Sequence, residues 1–121
     1  MLSIKVKIDV DTAKLSNKQK NSKQSAQMWL DQDVLKDSNY FIPQDESTLM
    51  ASGISNSLIG QGKIMWVTPY ARRLYYNPQY NFSKDMNPNA QGLWFEAAKA
   101  QKRSNWLETV YREYGKYFDG E

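Results

Sequence analysis

The chain has 121 residues and contains neither cysteine nor histidine. Its length predicts a single domain over residues 1–121, and the missing residue types exclude disulfides and thiolate chemistry and remove the commonest general base and metal ligand. The net charge of +3 is too mild to mark a dedicated nucleic-acid binder, and it comes from the second half of the chain, which contains all the arginines.

A strand and a long helix are predicted first. Apolar and polar residues alternate from Ile4 to Val10, which is the period of a half-buried strand rather than of a signal peptide, and its lysines suit an edge strand. Residues 16–38 follow as a helix, with an apolar stripe that starts at Ala26. No apolar run approaches the roughly 20 residues of a membrane helix, so we expect no membrane contact.

The middle of the chain is predicted to hold short elements. A short helix over residues 46–52 is expected to end at Gly53. Residues 54–59 and 63–68 then read as a β-hairpin around the Gly-Gln-Gly turn of residues 60–62. One or two helical turns over residues 70–76 precede a long Asn- and Pro-rich loop, about residues 77–93.

A final helix is expected from residue 95 or 96 to about residue 118, with a wide aromatic stripe. The economical arrangement is a small antiparallel or mixed β-sheet packed by two long helices, which is an α+β fold. The apolar faces of these elements predict one core in which six residues are mutually buried: Trp29, Leu30, Val34, Trp66, Trp106 and Val110.

Carboxylates two residues apart raise the possibility of a metal or catalytic pair. They are Asp9 with Asp11 and Asp31 with Asp33. Residues two apart do not share a helix face, and no histidine or cysteine could complete a ligand set, so the favoured interpretation is a solvated surface. We therefore predict no catalytic centre, no metal and no cofactor, and hence no enzyme.

Two further patterns favour ordinary structure over phosphate binding. The Gly-Gln-Gly sequence lacks the Gly-Lys-Ser/Thr and the helix that follow in a phosphate loop, so a hairpin turn is preferred. The lysines near the start of the first long helix most resemble a solvated basic face, with contact to a phosphate or an acidic partner as the minor alternative. They are Lys14, Lys18, Lys20 and Lys23.

Residues 68–95 combine prolines and asparagines with more aromatic residues than a solvated linker needs. Aromatic residues interleaved with arginine favour a surface that a partner covers. Arg72 and Arg73 diverge by about 100° on a helix, so one could pair within the fold while the other reaches a neighbouring subunit or passing DNA; two solvated arginines are as plausible. The predicted partner-interface residues are Tyr70, Arg72, Arg73, Tyr75, Tyr76, Tyr80, Phe82 and Met86.

The phrase TPYARRLYYNPQYNFSKDMNPNAQGLWFEAAKA, residues 68–100, resembles the signature region of minor capsid, or neck and tail-completion, proteins of long-tailed bacteriophages. The upstream phrase IPQDESTLMASG, residues 42–53, also resembles this family, although Glu46-Ser47 stands where Thr-Gly is common. The similarity covers most of the chain, from about Ile4 to Tyr117.

This resemblance implies a structural protein of the virion that is made in the host cytoplasm. It would act in the head–tail junction as one ring of identical copies, joined to portal-connector, neck or tail proteins, with double-stranded DNA passing nearby without sequence reading. The alternative is a small basic nucleic-acid-binding module, which a steep salt dependence of DNA binding would favour. Stacking of the tyrosines on bases is less favoured, because no multi-stranded sheet platform is predicted.

Overall fold

A computed structural model describes residues 2–8, 17–43, 47–77 and 88–119. Two strands and four helices follow one another within these residues. They are β1 (Leu2–Lys5), α1 (Asn17–Asn39), α2 (Ser47–Asn56), β2 (Lys63–Trp66), α3 (Ala71–Tyr75) and α4 (Trp94–Asp119). The sheet is small and antiparallel and packs against α1 and α2, and Trp66 of β2 also meets Trp94 at the start of α4, which confirms the predicted α+β class.

The two strands pair with each other across most of the chain's first half. Leu2 lies opposite Trp66 and Lys5 lies opposite Lys63. Along β1 and the residues that follow it, Leu2 is buried while Ser3, Lys5 and Lys7 are exposed, so the predicted alternation of faces is confirmed for residues 2–8. Asp9 and Val10 lie outside the described residues.

The predicted hairpin between residues 54–59 and 63–68 is wrong. Leu58 forms one isolated bridge with Lys63, but residues 54–56 belong to α2, and the partner of β2 is β1. Helix α2 was predicted to end at Gly53 but continues to Asn56. Gly53 instead packs closely on Trp66, since a Cβ at this position would lie 2.5 Å from Nε1 of that indole. The glycine therefore lets α2 approach the indole, and the helix continues past it.

Helices α1 and α4 form the main layer of the fold and run antiparallel. Polar side chains connect them along their length: the Ser22 hydroxyl donates to the carbonyl of Tyr114, and the Thr109 hydroxyl donates to the Asp33 carboxylate at 2.8 Å. Nearer the other end, the indole N–H of Trp106 donates to Asp37 at 2.7 Å. Because the donor and acceptor types must match at each level, these bonds fix the register of the two helices.

The core is built on perpendicular aromatic rings. Trp66 and Trp94 are fully buried and meet edge to face, with ring centroids 5.8 Å apart. The ring of Tyr75 meets that of Trp94 in the same way at 4.8 Å, and the indole N–H of Trp66 donates to Asn39 at 3.1 Å. Edge-to-face contacts add stability beyond the apolar area that they bury.

The predicted core is confirmed in part. Val34, Trp66 and Trp106 are buried, and Leu30 and Val110 are half-buried. Trp29 was expected in the core, but 47% of its surface is exposed. The buried face of α1 passes instead through positions occupied by polar residues, chief among them the fully buried Asp31.

Asp31 accepts hydrogen bonds from the turn that precedes β2. One of its oxygens accepts the backbone N–H groups of Gly60 and Gly62, each at 2.8 Å. Both glycines have positive φ angles, 94° and 72°, which L side chains rarely adopt. The expectation that Asp31 is solvated is therefore wrong, and Asp33, which accepts the bond from α4, is also engaged within the fold.

Gln27 lies one helical turn before Asp31 and holds the chain beyond β1. Its amide oxygen accepts the N–H of Ile8 at 2.9 Å, and its amide nitrogen donates to the carbonyl of Val6 and to the second oxygen of Asp31. The N–H of Val6 also donates to the carbonyl of Gly62 at 2.8 Å. We call Gln27 and Asp31, with the backbone groups that they bind, the polar clamp.

Burial of the Asp31 carboxylate raises its pKa, and the hydrogen bonds from Gln27, Gly62 and Gly60 oppose that rise only in part. A carboxyl group whose pKa is higher in the folded than in the unfolded protein stabilises the fold most at low pH. That contribution is lost as the pH rises through the folded-state pKa.

Replacing Asp31 by Ala should lower the free energy of unfolding by roughly 2–4 kcal/mol, because two buried backbone N–H groups lose their acceptor. Urea unfolding followed by tryptophan fluorescence measures this change. The control is Glu108→Ala at an exposed position on α4, expected to change stability by less than about 0.5 kcal/mol. Equal midpoints for the two variants would contradict the role of the clamp.

The pH dependence of stability should also identify Asp31. The wild-type protein should lose stability relative to Asp31→Asn as the pH rises from about 3.8, the ordinary value for this carboxyl, until the folded-state pKa is passed. Subtracting the two unfolding curves cancels the other titrating groups. A difference that instead moves in favour of the wild type over this range would show that the carboxylate form is the one the fold prefers.

Candidate partner interface

The predicted interface begins at α3, where two arginines stand exposed side by side. The guanidinium carbon of Arg72 lies 5.9 Å from the ring centroid of Tyr76, which is 58% exposed. Within the part of the chain that the structure describes, neither Arg72 nor Arg73 pairs with a carboxylate. Two cations and an aromatic ring are thus presented together at the end of a short helix.

Tyr70 and Tyr75 anchor this surface from beneath. The half-buried Tyr70 shares a hydrogen bond of 2.8 Å with the hydroxyl of Thr48 on α2. Tyr75 is buried against Trp94, and burial, aided by the negative charge of Glu96, raises its pKa. The assignment of Tyr75 to a partner surface is corrected accordingly: its ring belongs to the core and is not accessible in this fold.

The described residues on both sides of the predicted loop are bonded to α3. The side-chain amide of Asn77 donates to the carbonyl of Arg73 at 2.6 Å, and the N–H of Leu93 donates to the carbonyl of Tyr75 at 2.9 Å. Ala90 is buried, and the N–H of Gln91 donates to the carbonyl of Phe41 at 3.0 Å. Residues 88–93 are therefore part of the packed structure, whereas the predicted contacts Tyr80, Phe82 and Met86 lie outside the described residues.

A second surface is an open cleft of about 750 Å³ between the end of α1, α2 and Pro88. Its most exposed apolar side chains are Tyr40, at 58%, and Ile54, at 63%. Sequence patterns did not predict this apolar cleft, because Ile54 was assigned to a strand. Its apolar lining consists of Leu35, Tyr40, Met50, Ile54, Ile59 and Pro88.

A third surface is a groove of about 580 Å³ between the first residues of the chain and α4, which we call the basic groove. Its floor is apolar and includes Phe95 and Trp106, and Tyr111, at 73% exposure, stands at its edge. Its described lining residues include no carboxylate, and four of them are cations: Lys5, Lys7, Lys99 and Arg103. No local pattern could reveal this groove, since its basic residues come from opposite ends of the chain.

The described residues contain no group of three or more carboxylate, histidine or cysteine side chains placed to hold a metal ion. Among the helices described, none is long and apolar enough to cross a membrane.

Comparison with known proteins gives one match. A family described as minor capsid protein matches residues 4–114 of this chain. No curated protein and no solved structure matches it significantly.

Proposed function

The chain belongs to the phage minor capsid protein family and so has a structural role in the virion; from this premise we propose that it acts at the head–tail junction. There it forms a ring of identical copies that connects the portal complex to the tail. The protein acts as a connector: one set of its surfaces joins neighbouring copies in the ring, and other surfaces contact the portal complex and the tail.

The observation that carries this proposal is the placement of two different surfaces with apolar lining on different sides of α1. Val34 lines the basic groove, whereas Leu35 and Asn39 line the apolar cleft. At about 100° per residue, these positions point in widely different directions around the helix. Dissimilar surfaces that face apart favour heterologous contacts, which close into a ring when the rotation between copies allows it.

Double-stranded DNA would pass close to such a ring without being read in sequence. A polar cleft of about 600 Å³ next to the basic groove suits loose phosphate contact, because Lys7, Lys20 and Lys23 line it and its described lining includes no carboxylate. The same cleft is the feature that favours the runner-up, a nucleic-acid-binding module.

Localisation in purified particles tests the proposed function. A small epitope tag on the protein, detected by immunogold electron microscopy, should mark a single vertex, where the tail joins the head. Gold distributed over the whole capsid, or found on the distal tail, would overturn the assignment to the junction. An untagged phage is the control for background labelling.

The exposed arginines of α3 should be needed for assembly but not for folding. Replacing both Arg72 and Arg73 by Glu reverses the charge of a surface that has no intramolecular carboxylate partner among the described residues, so the melting temperature should change by no more than a few degrees. Phage lacking the wild-type gene should then yield no infectious particles when complemented with this variant.

Lys102→Glu provides the control for the arginine test, because that exposed lysine lies on α4 and forms no ion pair with another described residue. It should preserve most of the titre. Full infectivity of the double variant of α3 would remove that surface from the proposed contacts.

A further inference from the structure

The basic groove combines two properties that a single class of ligand must satisfy. Among the described residues, the charged side chains of its rim are all cationic, and its apolar side extends to Leu107 and Tyr111, which are 40% and 73% exposed. A phosphate backbone would satisfy the cations but would leave this apolar side uncovered. The groove therefore fits an acidic peptide segment that also carries large apolar side chains.

The chain itself contains such a segment at residues 117–121, with the sequence Tyr-Phe-Asp-Gly-Glu. Two aromatic residues are followed closely by two carboxylates, which matches an apolar floor with a cationic rim. Tyr117 is 14 residues beyond Arg103, or about 21 Å along a helix. Because α4 continues to Asp119, this segment leads away from the groove of its own chain, so a segment that fills the groove must come from another copy.

We propose that residues 117–121 of one copy bind in the basic groove of a second copy. The aromatic side chains cover the apolar floor near Trp106 and Leu107, and the carboxylates of Asp119 and Glu121 meet Lys99 and Arg103. The donor segment lies beyond Tyr111, the last residue of α4 that lines the groove, so each copy can give its segment to one neighbour and receive a segment from another.

This contact is the head-to-tail interface between neighbouring copies in the proposed ring, so the inference rests on the proposed function. A heterologous contact of this kind uses two different surfaces per copy and can repeat without limit until the ring closes. Its charge complementarity fixes which end of α4 meets which groove.

A binding experiment with the full-length protein tests the contact directly. The probe is a synthetic peptide of residues 114–121 with a fluorescent label on its amino end, titrated with unlabelled protein at low salt and followed by fluorescence anisotropy. We expect saturable binding with a Kd below about 1 mM. Raising the salt concentration should weaken it, because the ion pairs are exposed.

Matched charge reversals locate the site. Lys99→Glu with Arg103→Glu should weaken binding at least tenfold, and a peptide with Asp119→Lys and Glu121→Lys should recover affinity for this variant. Lys36→Glu with Lys102→Glu makes the same change in net charge away from the groove, where both residues line other clefts, and should leave the Kd nearly unchanged. Circular dichroism spectra identify any variant that does not fold.

Three results would overturn the proposal. One is the absence of saturable binding up to millimolar protein, and another is equal binding by the two charge-reversal variants. The third is equal binding of a peptide with the same composition in scrambled order, which would mean that the groove accepts acidic apolar segments in general and that its occupant is a different protein. The position of the gold label in the particle does not depend on any of these results. Failure of this contact is therefore distinguishable from failure of the assignment to the head–tail junction.

Discussion

The buried carboxylate of Asp31 is the constraint on which the rest of the structure depends. A buried carboxylate is costly unless hydrogen bonds satisfy it, and here both of its oxygens are used: one by two glycine N–H groups and the other by Gln27. Gln27 also binds the carbonyl of Val6 and the N–H of Ile8, just beyond β1. One face of α1 therefore fixes both the start of the chain and the turn before β2. The clamp thereby holds Lys5 and Lys7 at the rim of the basic groove.

The clamp also accounts for the topology of the sheet. The turn is tied to α1 and allows only one bridge, between Leu58 and Lys63, before the preceding residues join α2. The edge of β2 is thus left for β1, which arrives beside it because Gln27 and Gly62 bind the residues that follow that strand. Removing a partner from such a network costs more than an average hydrogen bond, since the groups left behind stay buried.

Sequence patterns predicted both long helices, the first strand and the α+β class, because these depend on local periodicity. The phrases at residues 42–53 and 68–100 pointed to the family that the comparison then identified. The burial of Asp31 could not be predicted, since the glycines that bind it, Gly60 and Gly62, lie about 30 residues away. An aspartate on a polar helix also ordinarily faces water. Trp29 was placed in the core because it lies on the predicted apolar stripe, whereas the buried face of α1 passes through Asp31. The basic groove was missed because its cations come together only in the folded chain. Tyr75 was taken for a contact residue because it lies in a phrase that combines aromatic residues with arginines, yet its own ring packs on Trp94.

The clamp's defining bonds can be observed one by one through amide hydrogen exchange measured by NMR. If Asp31 and Gln27 hold the turn and the start of the chain, the N–H groups of Gly60, Gly62 and Ile8 should exchange slowly, with protection comparable to that of the paired residues of β2. All three should lose protection together in the Asp31→Ala protein under conditions where β2 remains protected. Exchange of Gly60 and Gly62 in the wild-type protein at the rate of an unstructured peptide would contradict the account, because it would mean that the buried carboxylate does not bind the turn.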